Sequence, residues 1–279
     1  MSATLPAAAP GAAEPVTARA LAGAFATQAR VIHALVLRET RTRYGEHKVG
    51  FLWAFAEPMA MVLIVSAFFL AMRSDTIGGM PIIAFMIVGF VPFTIFRDIM
   101  TQMQGAIGQN KSLLAFPQVT TFDVIIARGV LEFAVLMCVF AAMLGGAKLL
   151  GFEVRCDDPL GVLAVCVLLA LMGTGWGFAL AALTPLIPSV RQIVIVVLGR
   201  PLFYSSGLFY TADSLPPAIR DPLLYNPLLH LIELGRTAFF AEFESRHASW
   251  TYATLWTFAM LVFGLLVHQA LRRRATVGL

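Results

Sequence analysis

Six stretches of this sequence are apolar enough to lie in lipid, and the charge between them alternates in sign. They fall at residues 50–72, 81–96, 124–149, 160–183, 193–209 and 250–271. A bilayer-spanning helix needs roughly 20 mostly apolar residues. The chain has 279 residues, of which 59% are hydrophobic and only 13% charged. A soluble domain carries about 25% charged residues, so a water-soluble fold has nowhere to put this much apolar surface. In lipid the backbone must satisfy its own hydrogen bonds, which makes the spans helical. The second stretch is short, and it is expected to tilt little or to break near Gly89 and Pro92.

The segments 1–49, 97–128, Arg191 and Arg272 to Arg274 together carry a net charge of +8. The alternate segments 73–75, 148–158 and 213–246 together carry −3. Positive residues collect on the cytosolic side. Both termini are therefore expected in the cytosol, with an even number of crossings. Residues 1–24 are rich in Ala and Pro and lack the basic start and compact apolar core of a signal peptide. They read as a disordered cytosolic tail, and the first span then serves as its own insertion signal. Residues 25–44 read as an amphipathic helix able to lie in the membrane plane. Phe25, Ala29, Ile32 and Val36 recur at helical spacing, and Gln28, Arg30, Arg38, Arg41 and Thr42 interrupt them. Between the fifth and sixth spans, Pro216, Pro217 and the Asn226-Pro227 pair signal turns and helix starts. Short helices over residues 216–240 are expected there, on the outer face.

The sequence argues against several chemistries. Residues 105–112 read GAIGQNKS. A phosphate loop needs a second glycine where Asn110 stands, and a buried strand before it. No nucleotide, metal or other cofactor is expected on this chain, so any ATP must be bound with its Mg by a separate subunit. Cys138, Cys156 and Cys166 offer neither a disulfide framework nor a metal set. Asp157 and Asp158 are adjacent, but they lack the supporting His or Glu of a catalytic centre. The net charge of +4 sits in a few clusters and does not suggest nucleic acid.

Three charges interrupt the spans: Glu57, Glu132 and Arg200. Each sits ~10 Å from its cytosolic end, at 1.5 Å per helical residue. Such charges need partners or water, and Arg200 is expected to approach Glu57 or Glu132. An ion-driven transporter would call for repeated halves and several such acids. This sequence shows no repeat and two acids. Gly173 and Gly177 make a small-residue face beside Gly175 and Trp176, suited to close packing within the chain. Phe203, Tyr204, Phe209 and Tyr210 form either an interfacial aromatic belt or a surface for sugar rings. Arg38, Arg41, Arg43 and Lys48 match the positive-inside bias and headgroup binding. They also suit an anionic lipid-linked substrate or a cytosolic partner.

The run Leu37-Arg38-Glu39-Thr40-Arg41-Thr42-Arg43-Tyr44-Gly45, then Gly50-Phe51-Leu52-Trp53 and Glu57-Pro58, resembles the start of the type II ABC export permeases. It is most similar to their Kps-type capsular polysaccharide branch. Asn226-Pro227-Leu228-Leu229-His230, with Glu233 and Arg236-Thr237-Ala238-Phe239-Phe240, is a second matching region. The resemblance implies an all-α integral membrane fold with six transmembrane helices, an N-terminal interface helix and short outer-face helices. The resemblance implies that this fold spans residues 25–279 and that it works as a non-enzymatic permease in the bacterial inner membrane. It further implies a homodimer carrying two cytosolic ABC ATPase subunits, with a coupling helix within residues 101–122. Expected partners include a periplasmic polysaccharide co-polymerase, outer-membrane export proteins, membrane lipids and a lipid-linked, acidic polysaccharide. Residues implied at the ATPase are Arg30, Arg38, Glu39, Arg41, Gln109 and Lys111. Those implied along the substrate path or lateral gate are Arg43, Lys48, Trp53, Glu57, Trp176, Arg200, Tyr204 and Tyr210. O-antigen and teichoic-acid exporters are the neighbouring branches, and an ion-coupled secondary transporter is the alternative of a different class.

Overall fold

The computed structural model describes residues 18–44, 48–72, 76–116, 118–187 and 189–277. Helix α1 (Ala18–Tyr44) precedes α2 (Lys48–Ala71). A two-residue strand β1 (Thr76–Ile77) pairs antiparallel with β2 (Met80–Pro81) around Gly78 and Gly79. Their φ values of 58° and 83° meet the need of a tight hairpin for two left-handed residues. Then follow α3 (Ile82–Gln104), α4 (Ala106–Gln109), α5 (Lys111–Leu114), α6 (Thr121–Leu149) and α7 (Pro159–Leu183). After α8 (Val190–Ile193), a π-helical segment Val194–Gly199 leads into α9 (Arg200–Ser205). The chain ends with a 3-10 turn (Ala212–Ser214), α10 (Pro217–Leu223), α11 (Pro227–Phe239) and α12 (Trp250–Val277).

Among the described residues, four helices are long and apolar enough to cross a membrane: Ile82–Gln104, Thr121–Leu149, Pro159–Leu183 and Trp250–Arg272. Helix α2 has 24 residues and is described in its side chains from Phe55 onward.

Helix α3 is the centre of the fold. Phe85, Phe93, Phe96, Met100 and Met103 are all fully buried, as expected of a helix that is apolar on every side. It meets α7, α6, α2 and α11. It differs from the short second span expected from the sequence in two ways. It passes Gly89 and Pro92 as one helix, and it continues to Gln104. The extension carries Arg97 and Asp98, which the hydropathy pattern leaves in a loop. Their charges are matched within α3 and from α2, since Arg97 Nε lies 2.7 Å from Asp98 and Nη2 lies 2.8 Å from Glu57.

Helix α7 is held by its glycines. A Cβ at Gly173 would stand 2.7 Å from the Phe96 carbonyl oxygen, and one at Gly177 would stand 2.7 Å from Met103 Cβ. The expected close packing is therefore within the chain, between α7 and α3. Gly175 faces the other way, where a Cβ would lie 2.6 Å from the Met260 carbonyl oxygen of α12. Helix α12 otherwise turns Leu255, Phe258, Val262, Phe263 and Leu266 outward. Leu63, Ile64 and Phe68 of α2 do the same.

The fifth apolar stretch is not the regular helix expected over residues 193–209. Its α-helical ends are joined by a π turn. Pro201 has no N–H to donate, and its ring crowds the carbonyl four residues earlier. Widening to π geometry relieves that crowding. Helix α1 also departs from expectation, starting at Ala18 rather than residue 25. Residues 1–17 of the expected tail lie outside the described residues.

Candidate functional site

Three polar clusters interrupt the apolar body. The first lies where α1 meets α6 and α4. A capping box starts α6: the Thr120 hydroxyl accepts from the Asp123 N–H, and the Asp123 carboxylate accepts from the Thr120 N–H at 2.9 Å. That places Asp123, Arg128 and Glu132 along the first turns of α6. Helix α1 runs beside these turns in the same direction. Gln28 Nε2 donates to Asp123 Oδ1 at 3.0 Å, Arg128 Nη2 pairs with Glu39 at 2.8 Å, and Arg43 pairs with Glu132. From α4, Asn110 Oδ1 accepts from Arg38 Nη1 at 3.2 Å. The pairs climb along both helices together, because Glu39 and Arg43 match Arg128 and Glu132 with reversed sign at equal spacing.

The second cluster lies between α2, α3 and α9. Arg97 serves Glu57 and Asp98 together. Arg97, Met100, Thr101, Val194, Gly199, Arg200, Phe203 and Tyr204 line a cavity of about 330 Å³. Among the described residues Arg200 makes no ion pair within 4 Å with either glutamate. Glu57 is taken by Arg97 and Glu132 by Arg43, while Arg200 is exposed in the cavity wall. The hydropathy pattern puts Arg97 in a loop, so it could not be seen as a competitor. Beside the cavity, Phe203 meets Phe90, Phe93, Tyr204 and Phe209 edge-on, at centroid distances of 5.8, 5.7, 5.3 and 5.5 Å. Edge-to-face contact is the favoured aromatic geometry.

The third cluster holds the turn after α9. Arg236 on α11 is completely buried. Its guanidinium donates to the carbonyls of Gly207 at 2.6 Å, Leu208 at 3.2 Å and Tyr210 at 3.1 Å. It also sits 3.6 Å from the Phe85 ring centroid, within cation–π range. Glu233 lies 4.0 Å from it, accepting from the Ala212 N–H at 3.1 Å and the Ser245 hydroxyl at 2.6 Å. Burial lowers the Arg236 pKa to about 9, opposed by the nearby Glu233. The side chain therefore remains charged at neutral pH. Gly89 on α3 leaves the room it needs, since a Cβ there would stand 2.6 Å from Nη2. Gly207, at φ 71°, makes the turn that aims its carbonyl inward.

This arrangement of helices carries a recognisable sequence. The model of the ABC-2 type transporter family matches residues 30–240. The chain belongs to the ABC-2 type transporter family. It is similar to the polysialic acid transport protein KpsM of Escherichia coli, with 30% identity over 245 residues, covering 88% of this chain and 95% of KpsM. It is also similar to the capsule polysaccharide export inner-membrane protein CtrC of Neisseria meningitidis serogroup B, 29% identical over 243 residues, which cover 86% and 91% of the two chains. The corresponding protein BexB of Haemophilus influenzae is 29% identical over 246 residues, covering 87% and 91%.

The transporter's site residues separate by position. Of the six implied at the ATPase, Arg30 and Arg41 on α1 and Lys111 on α5 are exposed. Among the described residues Arg30 bonds within its own helix, to the Ala26 carbonyl at 3.3 Å and Thr27 Oγ1 at 3.2 Å. Arg38 and Gln109 are exposed as well and, with the half-buried Glu39, line the α1–α6 corner. Of the eight implied along the path, Glu57, Arg200 and Tyr204 meet around the α2–α3–α9 region. Tyr210 donates its hydroxyl to the Tyr204 carbonyl at 2.9 Å. Arg43 belongs to the α1–α6 corner. Trp176 lines a separate apolar crevice with Phe96, Leu202 and Trp256. Lys48 and Trp53 lie on α2, and their side chains fall outside the described residues. Sequence reasoning missed Arg97, Asn110, Arg128 and Arg236 as site residues. For Arg128 a signal was present: Glu39 and Arg43 on one helix mirror Arg128 and Glu132 on another.

Proposed function

We propose that this ABC-2 transporter is the transmembrane subunit of an exporter that moves lipid-linked, acidic capsular polysaccharide across the bacterial inner membrane to the periplasm. The observation that carries this reading is its similarity, over nearly the whole chain, to KpsM, CtrC and BexB, whose names state polysialic acid transport or capsule polysaccharide export. In this reading α2, α3, α6, α7, the α8–α9 unit and α12 make six crossings, with both termini in the cytosol, as the loop charges favour. Two copies enclose the channel by two-fold symmetry. Cytosolic ABC ATPases bind ATP and Mg and dock on the exposed Arg30, Arg41 and Lys111. The α4–α5 segment serves as the coupling element, and α10 and α11 cap the outer end. The α2–α9 region, with Trp53, Glu57, Arg200 and Tyr204, forms the lateral gate. A periplasmic co-polymerase and an outer-membrane export protein receive the glycan.

Electrostatics favours an ATP-driven cycle over an ion-coupled one. Glu57, Asp98 and Glu132 are each engaged by an arginine. An ion-coupled site would need a carboxylate free to take up the ion. The test is reconstitution of the chain with its ATPase in proteoliposomes. ATP-dependent movement of glycolipid, with the ATPase co-purifying in fixed proportion, is the expected result. Movement that persists without the ATPase would defeat the proposal.

A further inference from the structure

We propose that the segment 152–156, between α6 and α7, is a docking edge for an extended segment of a periplasmic protein. The incoming segment adds to it as a β-strand with a basic, an acidic and a basic residue at alternate positions. Residues 152–156 run without helix, turn or bend, and both ends are fastened. The Phe152 N–H donates to the Ala147 carbonyl at 3.1 Å. The Asp157 and Asp158 N–H groups donate to the Phe239 and Ala238 carbonyls at 3.1 and 2.8 Å. Between these fastenings, and among the described residues, no hydrogen bond engages the N–H or carbonyl of Glu153, Val154, Arg155 or Cys156. A straight run of open backbone groups is a template for strand pairing. Many domains take up extended peptides through such main-chain bonds. Because this edge is already held at both ends, little ordering cost remains on its side.

The side chains say what kind of strand fits. Residues two apart along an extended chain share a face. Val154 packs against the core, which leaves Glu153, Arg155 and Asp157 exposed on the other face. All three line a cavity of about 640 Å³, closed by the β1–β2 hairpin, Lys148 and Glu242. Among the described residues none of these five charged side chains makes an ion pair or a hydrogen bond. At the same end of the molecule Asp213 does pair with His247, at 3.3 Å, and Asp221 with Arg220, at 3.2 Å.

The exposed row therefore reads acidic, basic, acidic. Opposite charges directly across a strand pair stabilise it, and like charges oppose it. The complement is a strand reading basic, acidic, basic, which matches in either direction because the row is symmetric. The wall holds two cations and three carboxylates, a balance that disfavours an acidic glycan and favours a net basic peptide. The inference rests on the outward placement of this end and the periplasmic partner proposed above, although binding can be read without measuring transport.

The test uses the full chain purified with its ATPase in nanodiscs, and the peptide Thr-Lys-Val-Glu-Val-Lys-Thr as probe. Hydrogen exchange is read residue by residue with mass spectrometry. Peptide is expected to slow alternate amides between Glu153 and Cys156 and to leave the intervening ones unchanged, since only every second N–H of a strand faces its neighbour. Arg155→Glu is expected to raise the half-saturating peptide concentration about fivefold, the factor equivalent to about 1 kcal/mol for one cross-strand charge pair. The triple variant Glu153→Lys, Arg155→Glu, Asp157→Lys should instead prefer the peptide with Lys and Glu exchanged. Arg246→Glu reverses a charge at the same end outside the cavity and is expected to bind the first peptide as the parent does. In cells, a benzophenone probe on the exposed Cys156, in a Cys138→Ser background, should capture the periplasmic co-polymerase from the parent and lose it in Arg155→Glu. Equal binding of the two peptides by the parent, no protection of the segment, or equal capture by both proteins would overturn the edge. Protection that appears without peptide as protein concentration rises would assign it to a second copy and overturn it too. Failed glycolipid movement with intact peptide binding would count against the exporter reading alone, and intact movement without peptide binding against this inference alone.

Discussion

Replacing Arg236 with methionine tests whether one buried cation holds the outer end of the fifth apolar segment. The substitution keeps an unbranched chain over Phe85 and removes every donor. Three carbonyls then lose their partner, those of Gly207, Leu208 and Tyr210. An unsatisfied buried group costs about 1–3 kcal/mol. Glu233, itself 1% exposed, also loses its nearby cation. Against this stands the desolvation of the guanidinium, which the mutant no longer bears. Breaking a buried pair from one side costs about 3–5 kcal/mol after that offset. At roughly 2–4 °C per kcal/mol for a chain of this size, the midpoint should fall by on the order of 10 °C. The assay is thermal unfolding in detergent, followed by intrinsic fluorescence and size-exclusion chromatography. Arg236→Lys should fall between the two, since a point charge cannot serve three carbonyls as a planar fork does. Glu233→Gln added to the methionine variant should recover part of the loss. A methionine variant as stable as the parent would refute the reasoning, because the three carbonyls would then need no donor.

Other substitutions reach separate parts of the structure. Gly175→Ala pushes a methyl against the backbone of Met260, where no side chain can give way; a loss of about 1–3 kcal/mol is expected from overpacking, read as a lower midpoint in the same assay. Glu132→Gln leaves Arg43 without its carboxylate and should destabilise the chain, whereas exchanging the two residues (Arg43→Glu with Glu132→Arg) should restore much of the midpoint, which a double-mutant cycle measures. Arg41→Ala is expected to reduce ATPase co-purification and export while membrane insertion is unchanged, as quantified by pull-down and fractionation. Raising ionic strength should weaken the ATPase complex more in the parent than in Arg41→Ala, since exposed charges are screened.

The membrane class and the approximate positions of the apolar helices are legible in the sequence because hydropathy is a local property. Their ends are less so. Helix α3 runs past Phe96 because Arg97 finds Glu57 on another helix and Asp98 beside it. A window of hydropathy sees two charges and stops. The break in the fifth segment was signalled by Pro201, although the sequence does not distinguish a kink from a π turn. The pairing of the intramembrane charges is hard to read from sequence for a related reason. Arg200 shares the depth of the glutamates, but depth is one coordinate and pairing needs three. The Glu39–Arg43 and Arg128–Glu132 mirror could have been found, since it needs only two helices in parallel alignment. Arg236 carried no comparable local signal; its role follows from a turn built by Gly207 and a gap left by Gly89.

Arg97 touches one carboxylate on its own helix and one on a neighbour. If α2 slides away from α3, Glu57 departs, yet Asp98 travels with the guanidinium. Separation of α2 from α3 would therefore leave the guanidinium paired on its own helix, whereas a bridge with a single anion would leave it bare.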